Sequence, residues 1–201
     1  MMARRSARAE EVLEQAMRLF ADRGYGATSV ADVQEAAGMT PGSGALYKHF
    51  PSKEALLEAG IQEFIDEIHT APVELPPLEA GRLPEILQAV GHGVLHRLST
   101  NQAGFRIAWR DLEPFPELRQ RFVDQRIQPG FDRIIAWLQQ GVDTGQIELK
   151  DPPATAAVLL SSLVYFRLMQ VLLGEPPVQL DDARFVDAWV ELALATLTDP
   201  S

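Results

Sequence analysis

Apolar positions recur with helical period along almost the whole chain, and no segment shows the alternation of a strand or hairpin. Over Ala7 to Asp22, Val12, Ala16 and Leu19 with Leu13, Met17 and Phe20 fill one broad face. Acids and Arg18 fill the other, so a first helix is predicted, stopped at Gly24. Thr28 stands where it would cap a second helix with Val30, Val33 and Ala37 inward. Gly38 then makes a turn, and Thr40-Pro41 reads as a cap followed by proline at the first helical position. Ser52 is the expected cap of a helix reaching about Thr70, with Glu54 near its positive end. After the proline-rich break from Ala71 to Pro77, helices are predicted over Leu83–Leu98, Gln102–Leu112, Pro116–Gln140, Pro153–Leu173 and Asp181–Leu197. Pro129-Gly130 is expected to kink or split the third of these. No internal repeat and no low-complexity tract interrupts the pattern.

The stretch TSVADVQEAAGMTPGSGALYKHFPSK, Thr28 to Lys53, is the most specific part of the chain. Two short helices joined by a glycine turn form a small unit shaped to lay its second helix in a DNA groove. Thr40, Ser43, Gly44 and Ala45 are small, so the backbone there can approach DNA closely. Tyr47, Lys48 and His49 offer a hydroxyl, a cation and an imidazole to phosphates. The helix starts at Thr28 and Ser52 add amides suited to phosphate oxygens. On pattern alone, the same segment also reads as a plain three-helix bundle with a tyrosine at its edge.

The 201 residues suffice for one or two domains with a sizeable core, and a hydrophobic content of 46% argues against disorder. There is no uninterrupted apolar run of spanning length, so no transmembrane helix and no membrane partner are expected. The start, MMARRSARAEEVLEQ, turns acidic where a signal peptide needs an apolar stretch. The absence of cysteine excludes disulfides, thiol nucleophiles and Cys-based zinc sites, and a cytoplasmic location is the default expectation. A net charge of −10 argues against a nucleic-acid partner until its distribution is read. Residues 1–55 hold seven bases and seven acids, so the acidity belongs wholly to the rest of the chain. Arg4, Arg5 and Arg8 precede the helical unit and Lys48 and Lys53 follow its turn, a locally basic surface on an acidic body.

Leu19-Phe20, Gly24-Tyr25, Thr28-Ser29-Val30, Val33, Ala37-Gly38 and Leu46-Tyr47-x-His49-Phe50-Pro51-Ser52-Lys53 resemble the DNA-binding domain of the TetR family of transcriptional regulators over the first quarter of the chain. The resemblance implies an all-α fold of about nine helices. It implies a three-helix DNA-binding domain with a helix-turn-helix over residues 1–52, and a ligand-binding and dimerisation domain over 53–201. By position it implies DNA contacts from Thr28, Ser29, Thr40, Ser43, Gly44, Ala45, Tyr47, Lys48, His49 and Lys53. PGSGA, Pro41 to Ala45, looks two residues longer than the family's usual spacing. Two glycines there weaken a helix by ~1 kcal/mol each, so the recognition helix is expected to start late, with Ser43 as its cap. With few long polar side chains facing the groove, backbone contacts and DNA shape are expected to carry much of the specificity.

The family's last two helices form its dimer. Here Leu159, Leu160, Leu163, Phe166, Met169 and Leu173 on one helix, and Phe185, Val186, Trp189, Val190, Ala193 and Leu197 on the next, are more apolar than one wet face requires. Leu159, Leu163, Phe185, Trp189 and Ala193 are the expected interface of a homodimer, and the bland alternative makes them monomer core. Phe64, His92, His96, Phe105, Trp109, Phe122, Trp137, Tyr165, Phe166 and Met169 are the candidate lining of an apolar small-molecule pocket, or else ordinary core. His92-x-x-x-His96 has zinc-protease spacing, but Gly93 stands where the general base belongs, and His69 is a third ligand only if the fold brings it close. Asp66-x-x-His69 likewise lacks the paired motifs of a di-iron bundle.

No metal, cofactor or catalysis is therefore expected. The leading reading is a dimeric regulator, by family habit most often a repressor, released from palindromic operator DNA by an unknown small apolar or aromatic effector. The alternatives are a helical carrier or enzyme whose N-terminal unit is structural only, and a regulator that senses no ligand. No P-loop or Rossmann fingerprint supports the enzyme.

Overall fold

The computed structural model describes residues 5–70, 73–174 and 178–198, with the side chains of residues 68–70 excepted. Among the described residues there are nine α-helices and no strand. They are α1 Ala7–Arg23, α2 Val30–Ala36, α3 Lys53–Thr70, α4 Leu83–Ser99, α5 Gln102–Asp111, α6 Pro116–Phe122, α7 Gln128–Asp143, α8 Pro152–Leu173 and α9 Asp182–Thr198. The break expected at Pro129-Gly130 falls earlier. α6 ends at Phe122, a π-helical turn spans Val123–Ile127, and Pro129 sits in the first turn of α7, where its missing N–H costs nothing.

By packing the chain forms two compact units, Met1–Thr70 with Gln102–Gln125, and Ala71–Asn101 with Arg126–Ser201. In the first unit α1 packs on α2, α3 and α5, and α3 also meets α5 and α6. Val12, Ala16 and Phe20 of α1, Val33 of α2, and Leu57, Ile61 and Phe64 of α3 close its core. A Cβ on Gly60 would lie 2.1 Å from the Met17 sulfur, so the Met17 side chain occupies the space that glycine leaves between α3 and α1. Ser52 accepts the Ala55 amide at the start of α3, as its position predicts, and Ser6 caps α1 by accepting the Ala9 amide.

In the second unit α4 packs against α8 and α9, and α7 against α8. Leu87, Val90, Leu138, Leu163, Val186 and Ala193 are at its centre. Gly91 lets α9 close on α4: a Cβ there would sit 3.0 Å from Val186. α8 is long and apolar enough to cross a membrane by length and composition alone, against the expectation that no segment was. Only 22% of that apolar stretch is buried within the chain. Its inward side accounts for part of its character and its outward side remains uncovered.

Candidate nucleic-acid interface

The helix-turn-helix segment is built differently at both of its starts from what the pattern predicts. α2 is capped by Ser29, not Thr28. The Ser29 hydroxyl accepts the Asp32 amide at 3.1 Å, and the Asp32 carboxylate accepts the Ser29 amide at 2.7 Å and its hydroxyl at 2.6 Å. These bonds from Ser29, assisted by the charge of Arg23, hold the Asp32 carboxyl below its usual range. The start of α2 thus meets its own carboxylate before any phosphate arrives.

No α-helix begins at Thr40-Pro41. Gly42 and Gly44 take φ of +76° and +69°, a left-handed backbone that ends any helical run. The Gly42 amide is instead tied to the side-chain oxygen of Gln34 at 2.9 Å. The helical part of the recognition segment is one 3₁₀ turn, Leu46–Lys48. Ser43 caps no helix; its hydroxyl accepts only the Ala45 amide, at 3.4 Å. Leu46 and Phe50 point into the core and aim the turn outward. The result is a glycine loop and a single turn presenting Tyr47, Lys48 and His49 to solvent. Tyr47 is 54% exposed, and Thr40 and Ser43 lie exposed beside it, with Gly44 and Ala45 half-buried.

Two residues expected on the DNA face turn inward. Thr28 is 1% exposed, and its hydroxyl donates to Gly24 O at 2.9 Å and Leu19 O at 3.3 Å. Lys53 donates to Tyr25 O and Thr28 O, both at 2.9 Å, with its ammonium 4.1 Å from the centre of the Tyr25 ring. Both join α1, α2 and α3 at one corner. Burial first, and the Glu54 carboxylate second, raise the Tyr25 hydroxyl above its usual ionisation range. The S-x-x-D capping box was readable in the sequence. The buried Gln34, holding a loop eight residues away, carries no local signal.

The candidate pocket residues fall into both units. Phe64, Phe105, Trp109 and Phe122 belong to the first, where their rings pack on one another at centroid distances of 4.9 to 6.1 Å. In the second, Trp137 is buried and donates its indole N–H to Pro76 O at 2.6 Å. Phe166 stacks on Phe185 at 3.9 Å, Met169 is half-buried and Tyr165 is exposed. The second unit also has an open cleft of about 820 Å³ lined by Val73, Leu75, Pro76 and Ala89 with His96 and Arg97. Of the ten candidates only His96 lines it. His92 is exposed on α4, and the His69 side chain lies outside the described residues. Among the described residues no three metal-binding groups converge.

The expected dimer residues are interior ones. Leu159, Leu163, Trp189 and Ala193 are buried in the second unit's own core, with the Trp189 indole donating to Leu159 O at 3.0 Å, and Phe185 is half-buried against it. The outward stripe of α8 is a different set: Ala154, Val158, Ser161, Tyr165, Leu168 and Leu172, at alternating spacings of four and three. Val158 is 70% and Tyr165 61% exposed, and Leu192 of α9 is 69% exposed. The period that found the helices does not tell their two apolar faces apart.

These features define a transcriptional regulator with a helix-turn-helix head. A family model for bacterial regulatory proteins of the tetR family matches residues 12–59, and the model for the C-terminal domain of AefR-like transcriptional repressors matches residues 85–197. The second alone spans more than half of the chain, and the protein belongs to the TetR family. The HTH-type transcriptional repressor KstR2 of Mycolicibacterium smegmatis is 44% identical over 61 residues, which cover 30% of this chain and 29% of that protein. The chain therefore matches under a third of the length of this curated relative. Among solved structures, a tetR-family regulatory protein from Rhodococcus RHA1 superposes with a TM-score of 0.72 at 23% identity, covering 96% and 98% of the two chains. AibR, solved in complex with isovaleryl coenzyme A and operator DNA, superposes with a TM-score of 0.66 at 25% identity, covering 92% and 97%.

Proposed function

We propose that the protein is a dimeric, sequence-specific DNA-binding regulator of transcription that works in the bacterial cytoplasm as a repressor and carries no catalysis. The observation that carries this reading is the outward 3₁₀ turn with Tyr47, Lys48 and His49, hung on a glycine loop within a packed helix-turn-helix. Ser29, Thr40, Ser43, Gly44 and Ala45 complete the DNA face, and Thr28 and Lys53 act behind it. Residues 1–52 are the reading head and 53–201 the regulatory part. With one exposed lysine on the turn, sequence is read largely through close backbone approach and DNA shape.

Dimerisation runs through the outward stripe of α8 with Leu192 of α9. Its spacing is that of a helix seam, and its exposed apolar side chains match what a self-complementary two-fold contact buries. The two heads then meet half-sites of an inverted repeat about one helical turn apart. A small effector with an apolar or aromatic body shifts the equilibrium between DNA-competent and released states through different affinities for the two. The aromatic cluster of the first unit and the cleft of the second are the sites with suitable lining.

Selection of random duplexes by the purified protein at stated salt, with its mass measured in the same buffer, tests this. An enriched inverted repeat bound by a dimer is the expected result. A folded protein that enriches no sequence would overturn it.

A further inference from the structure

We propose that Arg110 of α5, held by Asp111, is a positioning residue that sets the corner between α1 and α2 for DNA reading. The inference rests on the regulatory reading above.

The last carbonyls of a helix lack partners within it and form its negative pole. At the end of α1, Phe20 O accepts the Gly24 amide at 2.9 Å and also Nη2 of Arg110, and Ala21 O accepts Nη1 of Arg110 at 3.1 Å. The other edge of the guanidinium is taken by Asp111, whose Oδ2 accepts Nε at 3.1 Å and Nη2 at 2.9 Å. The carboxylate fixes the plane of the fork and neutralises its charge, and the fork clamps α1. Gly24 fits between them. Its φ is +98°, and a Cβ there would lie 3.8 Å from Asp111 and 3.9 Å from Arg110.

The same corner is gripped again one residue later. The Tyr25 ring packs edge-on against Phe20 at 5.3 Å and Phe115 at 5.1 Å, with Lys53 over its face. Thr28 bonds back to Gly24 O, and Ser29, the cap of α2, follows at once. α5 and the segment after it therefore hold Phe20, Ala21 and Tyr25, the residues around the turn into the reading head. The Arg110 side chain is 36% exposed, and protein oxygens meet four of its five N–H donors.

The test uses the full-length dimer, an operator duplex from the selection above and a series of salt concentrations. Arg110→Met is expected to weaken operator binding roughly tenfold, within reach of a lost charge-assisted clamp, while the salt slope and the dimer mass stay unchanged. Amide exchange at Gly24 and Thr28 should accelerate, and Arg110→Lys, which retains the charge but not the fork, should fall between. If Arg110→Met does not fold, Arg110→Lys carries the same readouts.

Affinity within about twofold of wild type in the variant overturns the inference. So does a salt slope lowered by about one, which would make Arg110 a phosphate contact. A wild-type protein that binds no duplex refutes the regulatory reading. Unchanged exchange at Gly24, measured without DNA, refutes the clamp itself.

Discussion

Replacing Lys53 with methionine keeps the aliphatic stem and deletes the ammonium that ties α3 to the α1–α2 corner. The ammonium donates to Tyr25 O and Thr28 O at 2.9 Å each and lies 4.1 Å from the Tyr25 ring centre. A charge-assisted hydrogen bond contributes about 1.5–3 kcal/mol and an exposed cation–π contact about 0.5–1 kcal/mol. The side chain is half-exposed, so water replaces part of each lost bond. The low ends of these ranges sum to about 3.5 kcal/mol, and the water that replaces part of each bond lowers the destabilisation to about 2–3 kcal/mol for the set. In a chain of this size that lowers the melting temperature by about 5–10 °C. The assay is thermal unfolding of both proteins, paired with operator titrations over a range of salt. The expected result is a lowered melting temperature with an unchanged salt slope. A melting temperature that does not move, with a slope reduced by about one, refutes the reasoning, because it places Lys53 on a phosphate.

Lys48→Ala should do the opposite: weaker binding to every DNA sequence and a salt slope lower by about one, with the melting temperature unchanged. Leu192→Asp combined with Val158→Asp should convert the dimer to a monomer by mass with helical content retained, and a persisting dimer rejects the outward seam of α8 and α9. Tyr25 links stability to alkaline pH. The unfolded chain releases its proton near pH 10.0 while the folded one still holds it. Stability from this group is therefore complete below pH 10 and declines as pH rises above it, and an equal decline in Tyr25→Phe counts against that assignment.

The spans of the long helices were legible because apolar side chains at 3.6-residue spacing have only one way to be buried together. α1, α3, α4 and α9 lie within about one residue of their expected limits. The recognition segment was not legible in the same way. A helix was expected at Thr40-Pro41 because cap and proline favour one. The left-handed Gly42 and Gly44 and the bond from Gln34 decide otherwise, and a bond between residues eight apart leaves no periodic trace.

An all-helical chain, the helix-turn-helix motif and its family, the basic-aromatic exit at Tyr47-Lys48-His49, and the place of the acidity could all be read along the chain. These are properties of local spacing and residue type. That Thr28 and Lys53 hold the head together from behind, and that Arg110 clamps the end of α1 from a helix nearly ninety residues away, depends on the fold. The fold likewise sets which apolar face of α8 and α9 is core and which is left exposed. Burial and long-range hydrogen bonding depend on what lies across from a side chain. That neighbour is supplied by the fold and is invisible to periodicity, which knows only the face a residue shares with its own helix.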